Sequence, residues 1–325
     1  MERRRAIRTA GGLALAAWTG AGRAQAWPGR PITMVVASSS GSGPDMLARE
    51  LAGRLSQALK QPVVVDNKPG ASGIIATQAV VRAAPDGHTV LYTNATNMVM
   101  APSLLKSMPY DVRRDLVPVA QTAVGGVLLL VGNAFPAKTL PELIAAVRAK
   151  PDTYSYGTWA VGSSGHLAME WLKRQTGMSL NHVPYKQSQS LLADLAAGTL
   201  DIGWSDPAAP LPFIESGRLR PIAVIGNARP PRLTQVPTFG EQGHPFDAVG
   251  WFGVFLPAEA PKDVVMRLNE EINRINALPE MVARTAALNI DPPPRKTPEE
   301  FRAIMLRDLD TWKKIIVDAG VTVDG

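Results

Sequence analysis

The sequence contains no cysteine. That excludes disulfides, thiolate metal sites and thiol nucleophiles. Its four histidines, His88, His166, His182 and His244, are scattered. None forms an H-E-x-x-H pair or joins a carboxylate cluster at metal-ligand spacing, so no metal centre is expected and each reads as structural. No segment reaches the roughly 18 uninterrupted apolar residues of a membrane-spanning helix. There is no repeat of fixed period and no low-complexity tract. Catalytic signatures are equally thin. Ser103-Leu-Leu-Lys106 matches the short S-x-x-K pattern, but the accompanying S-D-N and K-T-G are missing, and "GSSG" is not a G-x-S-x-G elbow. A serine hydrolase is therefore the weak alternative. The expectation is a non-enzyme that needs no cofactor.

What is present begins with a leader. Arg3, Arg4, Arg5 and Arg8 precede a small apolar stretch, Ala10 to Gly22, and Ala24-Gln25-Ala26 is an A-x-A cleavage signal. This pattern predicts a secretory signal peptide over residues 1–26, cut after Ala26, and export to the periplasm. The paired arginines leave the Sec and twin-arginine routes both open. The leader holds five arginines and one glutamate, net +4 of the chain's +6, which leaves +2 on the 299 residues after it. No basic patch survives that would point to nucleic acid.

Hydrophobic residues make up 46% of the 325 and charged residues 19%, ordinary globular material with length for two cores. Short apolar strands alternate with helix-period segments, which predicts an α/β fold. "PITMVVA" (31–37), "PVVVDN" (62–67) and "HTVLYTN" (88–94) read as strands. Leu47, Leu51, Leu55 and Leu59 recur at i, i+4 between the first two. The stretch with Pro102, Pro109 and Pro118 reads as loop, and a new strand run is expected at 125–132. A capping box, Thr139 with Glu142, starts a helix at 139–150. Four short strands follow, with helices at 166–176 and 188–197 ended by Gly177 and Gly198. "WFGVFLP" (251–257) is a late strand, and helices are expected at 261–277, 279–289 and 298–319. The long helices and late strand need a sheet to cover. Two lobes are therefore expected, one from 27–123 with 248–325 and the other from 124–247.

Two segments share one grammar: "ASSSGSGPDMLARELAGRL" (37–55) and "VGSSGHLAMEWL" (161–172). Each runs from serines and glycines into a helix. Ser42 is placed as an N-cap with Asp45 at N3, and Pro44 lies in the first turn, where its missing N–H costs little. Gly41 and Gly43 leave the backbone bare, so a ligand can approach it. Helix N-termini carry unpaired N–H groups and partial positive charge, which favours anions. Ser163 and Ser164, with Gly162 and Gly165 beside them, repeat the arrangement. One on each lobe would make a cradle for a small carboxylate, and the alternative is two ordinary capped helices.

The ordered set of motifs carries a family. "WPGRPITMVVASSSGSGPDMLARELAGRLSQALKQPVVVDNKPGASGIIATQAV", "APDGHTVLY", "MPYDVRRDLVPVA", "HVPYK", "DLAAGTLDI", "VPTFGEQG" and "WFGVFLPAEAPKDVVMRLN" resemble the substrate-binding receptors of tripartite tricarboxylate transporters, the Bug receptors. The similarity covers essentially all the chain after the leader. It implies a two-lobed Venus-flytrap fold, each lobe a mixed sheet flanked by helices. It also implies a periplasmic monomer that holds a small organic anion against its first βα loop and docks on membrane permease subunits. A ligand sensor that presents its closed state to a signalling protein is the alternative.

The chain departs from the family pattern at several places. Ser38, Ser39 and Ser40 stand where an aromatic residue and prolines are usual, and Pro44 replaces a threonine. Trp159 sits in the small polar run before "HL", Ser205 takes the place of the usual aspartate with Asp206 one residue later, and Gln187 replaces a glycine. Candidate ligand contacts are Ser38, Ser40, Ser42 and Gly43 on the first loop, and Asn94 and Thr96 after the third strand. On the second lobe they are Trp159 as a flat wall, Ser163 and Ser164 as the second anion cap, and Asp206. Lys186 is the nearest cation. The implied ligand has one carboxylate, further hydrogen-bonding groups on one side, and an apolar or planar body.

Overall fold

The computed structural model describes residues 27–70, 73–226, 228–246, 248–290 and 292–321. The leader and its cleavage site lie outside the described residues. Two five-stranded mixed sheets form the frame.

The first sheet holds β1 (Ile32–Val36), β2 (Val63–Asn67), β3 (Thr89–Asn94), β4 (Leu116–Gly125) and β10 (Gly250–Pro257) in the order β2-β1-β3-β10-β4. The second holds β5 (Leu128–Gly132), β6 (Ser155–Thr158), β7 (Asn181–Pro184), β8 (Ile202–Ser205) and β9 (Leu219–Val224) in the order β7-β6-β8-β5-β9. In each sheet three strands run parallel, and the fourth in spatial order is antiparallel to both its neighbours. The chain leaves the first sheet between Gly125 and Leu128 and returns between Val224 and Gly250.

Helix α1 (Gly43–Leu59) buries its apolar stripe of Leu47, Leu51, Leu55 and Leu59. It packs on the first sheet beside α8 (Lys262–Asn276). Helix α5 (Ser164–Thr176) and helix α6 (Ser188–Ala197) cover the second sheet. The last helix, α10 (Pro298–Ala319), packs on β4 and on α5, so one core cluster runs through both lobes. Its start is a complete capping box, with Thr297 accepting from Glu300 N–H and Glu300 accepting from Thr297 N–H. Trp251 of β10 donates its indole N–H to Asp308 of α10 at 2.9 Å, which pairs a buried donor with a buried carboxylate.

Three elements depart from expectation. The segment with Pro118 is not loop but the ten-residue strand β4. Among the described residues this strand lies at the sheet edge and pairs only with β10, and Pro118 sits opposite Phe255 at a register shift. A proline costs no ladder bond at an edge or a bulge, so its breaker reading did not apply. The expected strand run at 125–132 is consequently divided, and only Leu128–Gly132 belongs to the second sheet. After β3 the chain makes a π-helical turn (Thr96–Met100) and the short helix α3 (Ala101–Leu104) rather than continuous loop.

Candidate ligand-binding cleft

The candidate residues fall into two groups, each at the carboxyl edge of a sheet, where open α/β folds gather ligands. β1 and β3 are adjacent and parallel, with Val36 beside Tyr92. The loop with Ser38, Ser40 and Ser42 therefore emerges next to Asn94 and Thr96. In the second sheet Tyr156 lies beside Ile202 and Gly157 beside Gly203. Trp159 and Asp206 thus leave the sheet from neighbouring strand ends, and Ser163 and Ser164 follow at the start of α5.

The first loop is held from below. Ser42 is the N-cap of α1 and accepts from Asp45 N–H. Its hydroxyl also contacts Ser38 Oγ at 3.2 Å and Ser39 O at 2.7 Å. Asp45, only 2% exposed, accepts from Gly41 N–H at 2.8 Å, from Asn67 Nδ2 at 2.8 Å and from Arg49 Nε at 2.9 Å. Burial works to raise the Asp45 carboxyl, but these hydrogen bonds and the Arg49 charge outweigh it and hold the pKa below the usual carboxylate range. Asn67 also donates to Ser38 O at 3.1 Å. Arg49 and Asn67 were missed in the sequence, although Asp45 and Arg49 show the i, i+4 spacing of a helical ion pair. The capping geometry is shifted from the expected box, since Asp45 reaches Gly41 N–H. Gly43 itself is open: a Cβ built there meets nothing within 4 Å.

Other candidates are partly committed to their own turns. Asn94 Oδ1 accepts from Asn97 N–H at 3.1 Å, which leaves its amide N–H groups as the donors it can offer. Asp206 is exposed and one carboxylate oxygen accepts from Ala208 and Ala209 N–H, both at 3.0 Å. Ser163 is the N-cap of α5 and accepts from His166 N–H. Ser163 and Ser164 are buried, Trp159 is half-buried and Lys186 is exposed.

Two hollows lie elsewhere. One, of about 120 Å³, sits at the crossing between the sheets and is lined by Gly125, Gly126, Pro207, Gly226 and Asn289 among others. The second, of about 660 Å³, lies between α8 and Pro292 to Pro294. None of the ten candidate residues lines either one. Near the first, Asn289 donates to Pro207 O at 3.2 Å and accepts from Arg232 N–H at 2.8 Å, a tie across the crossing. Among the described residues no group of three or more His, Asp or Glu could hold a metal ion. No described helix is long and apolar enough to cross a membrane.

Comparison with known proteins places this arrangement. Residues 47–321 match the model of the tripartite tricarboxylate transporter family receptor. Protein BugT of Bordetella pertussis is 33% identical over 299 residues, 91% of each chain. The solved structure described as R. palustris Rpa4515 with adipate is 33% identical, with a TM-score of 0.81 over 91% of this chain and 99% of that one. MatC from Rhodopseudomonas palustris with bound malate is 27% identical, with a TM-score of 0.76 over 89% and 99%. The matching family is one of receptors rather than enzymes, and the two solved structures share the two-lobed α/β fold. The chain belongs to the tripartite tricarboxylate transporter receptor family.

Proposed function

We propose that the protein captures a small organic carboxylate between its lobes and delivers it to the membrane permease of a tripartite transporter. The lobes are taken as 27–123 with 248–325 and as 124–247, and the site of action as the periplasm after cleavage behind Ala26. One observation carries the reading: two serine-capped helix starts stand at the carboxyl edges of two sheets, in a family whose solved members hold adipate and malate. Backbone N–H groups and the ends of α1 and α5 supply positive potential for the carboxylate. Contacts made to both lobes favour the closed state, which is the form a permease would recognise.

The ligand's character follows from the walls. Ser38, Ser40 and Ser42 make the first wall polar. Trp159 is half-buried, and Val161 beside it is 43% exposed. Met46 and Ile75, in the first turns of α1 and of α2 (Ile74–Val81), are 37% and 51% exposed. These apolar surfaces suit a ligand with one carboxylate in the cap and an apolar or planar body. A citrate-like tricarboxylate would leave two charges poorly compensated, since neutral donors and helix ends suffice for about one. A thermal-shift screen of aliphatic, aromatic and tricarboxylic acids tests this. A lead bound by citrate, or a Trp159→Ala variant with unaltered affinities, would remove the proposed pocket chemistry.

Gly43→Val tests the first cap. The open space at Gly43 spares the variant a clash with other parts of the fold, while its side chain obstructs approach to the helix N–H groups. Affinity is expected to fall roughly 10-fold or more, about 1.4 kcal/mol. Calorimetry that shows unchanged affinity, in protein of wild-type melting temperature, would displace the carboxylate from this loop.

A further inference from the structure

Behind the second-lobe loop lies a stack of rings that the binding reading does not use. Tyr156 of β6, His182 of β7 and His166 of α5 pack face to face. The His166 and His182 centroids are 4.0 Å apart at an interplanar angle of 15°, and Tyr156 lies 4.9 Å from His182. His166 is bonded to the loop that carries Trp159 and leads to Ser163, and His182 to Thr158, the last residue of β6 before that loop. Gly162 N–H donates to His166 Nδ1 at 2.9 Å. His166 Nδ1 must therefore be a lone pair, which makes this ring neutral, with its proton on Nε2. Thr158 donates its hydroxyl proton to Ala160 O at 2.9 Å, so the 2.7 Å contact with His182 Nε2 requires the imidazole N–H to donate to Thr158. Ala160 O also accepts from Ser163 N–H at 3.3 Å. The turn at Gly162 is thus bonded directly to His166, and the turn at Ala160 is tied to Thr158, which His182 holds in turn.

We infer that His166 and His182 are positioning residues for the second-lobe ligand loop, and that protonation of His166 frees the loop and weakens ligand binding in acid. A proton on His166 Nδ1 would remove the acceptor of Gly162 N–H and place a cation against a second ring 4.0 Å away. Burial resists that proton, while the Glu170 charge favours it. On α5, Glu170 accepts from Tyr156 Oη at 2.6 Å and from Lys173 Nζ at 2.8 Å, so its charge is already shared. On the other packed elements, Asp201 before β8 is bonded to Ser155, Asp194 of α6 to Tyr185, and Asp308 of α10 to Trp251. Burial, followed by the neighbouring His166, lowers His182 to about 4. Burial lowers His166 as well.

The direction of the effect follows. A base whose pKa is lowered in the folded loop binds fewer protons there than in an opened one. The closed loop is therefore at full strength above about pH 6.5, the value of a free imidazole, and weakens progressively below it. Asparagine can accept from Gly162 N–H through its amide oxygen but does not titrate, whereas phenylalanine keeps the stack and loses the acceptor.

The inference rests on the carboxylate-binding reading for its effect on affinity, so the test has two arms. In the ligand-free protein, hydrogen exchange of the 159–163 segment is measured at pH 7.5 and 5.0, corrected for intrinsic rates. Wild-type protection should fall at least 5-fold at the lower pH. His166→Phe should be unprotected at both, and His166→Asn should be protected and insensitive to pH. Equal protection in wild type and His166→Phe would overturn the positioning role. In the second arm, calorimetry with adipate should show His166→Phe weakened about 10-fold at pH 7.5. Wild type should lose at least 5-fold more affinity than His166→Asn between the two pH values, a comparison that cancels the titration of adipate itself. Parallel loss in the two proteins would overturn the acid response. Failure of wild type to bind adipate or any other carboxylate would count against the proposed function, while the exchange arm still decides the role of the histidines.

Discussion

Trp312→Ala is expected to destabilise the protein by about 3–5 kcal/mol, the range for emptying a fully buried aromatic site. Trp312 is completely buried on α10, and its ring meets Phe246 edge-on at 5.9 Å, which in turn meets Trp171 of α5 at 5.1 Å. This ladder joins the last helix to the second lobe. The Trp312 indole N–H has no hydrogen-bond partner among the described residues, so the loss is one of packing. Chemical denaturation followed by far-ultraviolet circular dichroism reads the change. A loss below about 1 kcal/mol would mean that α10 does not couple the lobes through this contact. Trp312→Phe should recover part of the stability, because it retains an aromatic face toward Phe246.

The second large effect is expected at the crossing between the sheets, where adjacent glycines differ. A Cβ on Gly126 would lie 1.6 Å from Ile225 O, a backbone atom that no rotamer change can move. The same stretch holds the hydrogen bond from Ile225 N–H to Val127 O at 3.1 Å, so the collision would pry β5 from β9 as the chain enters the second lobe. Gly126→Ala should cost about 3 kcal/mol, the upper end of ordinary overpacking. At Gly125 the added Cβ meets only Ile290, at 3.5 Å, an ordinary contact. Gly125→Ala should stay within about 0.5 kcal/mol of wild type. Denaturation midpoints of the two variants, measured together, check the contrast. Equal effects would show that the crossing relaxes freely and does not hold the lobes in register.

Some features of the candidate site could be read without coordinates because they depend on near neighbours in sequence. Ser42 and Ser163 cap their helices as the serine-glycine runs indicate, since a cap needs only the next turn of chain. Asp45 was placed at N3 by the same logic. Of its partners, Gly41 N–H and Arg49 lie within four residues in sequence, but Asn67 could not be placed, since it reaches Asp45 only because β2 lies beside β1. Asn94 and Asp206 read as ligand contacts in the sequence, and the structure shows each already accepting from the turn that follows it. The histidines read as scattered because His166 and His182 belong to different elements.

The sequence alone determined the α/β class, the two serine-capped helix starts and the family. Each rests on local periodicity, capping or motif order, which short-range sterics and hydrogen bonding dictate. Tertiary structure decided what depends on strand neighbours. It made Pro118 an edge-strand residue, because β4 pairs on one side only. It divided the strand run at Gly125, because the chain changes sheets there. It also stacked His166 on His182 behind the ligand loop, because β7 lies beside β6 and α5 packs across them, a pairing that sixteen residues of separation conceal from any local reading.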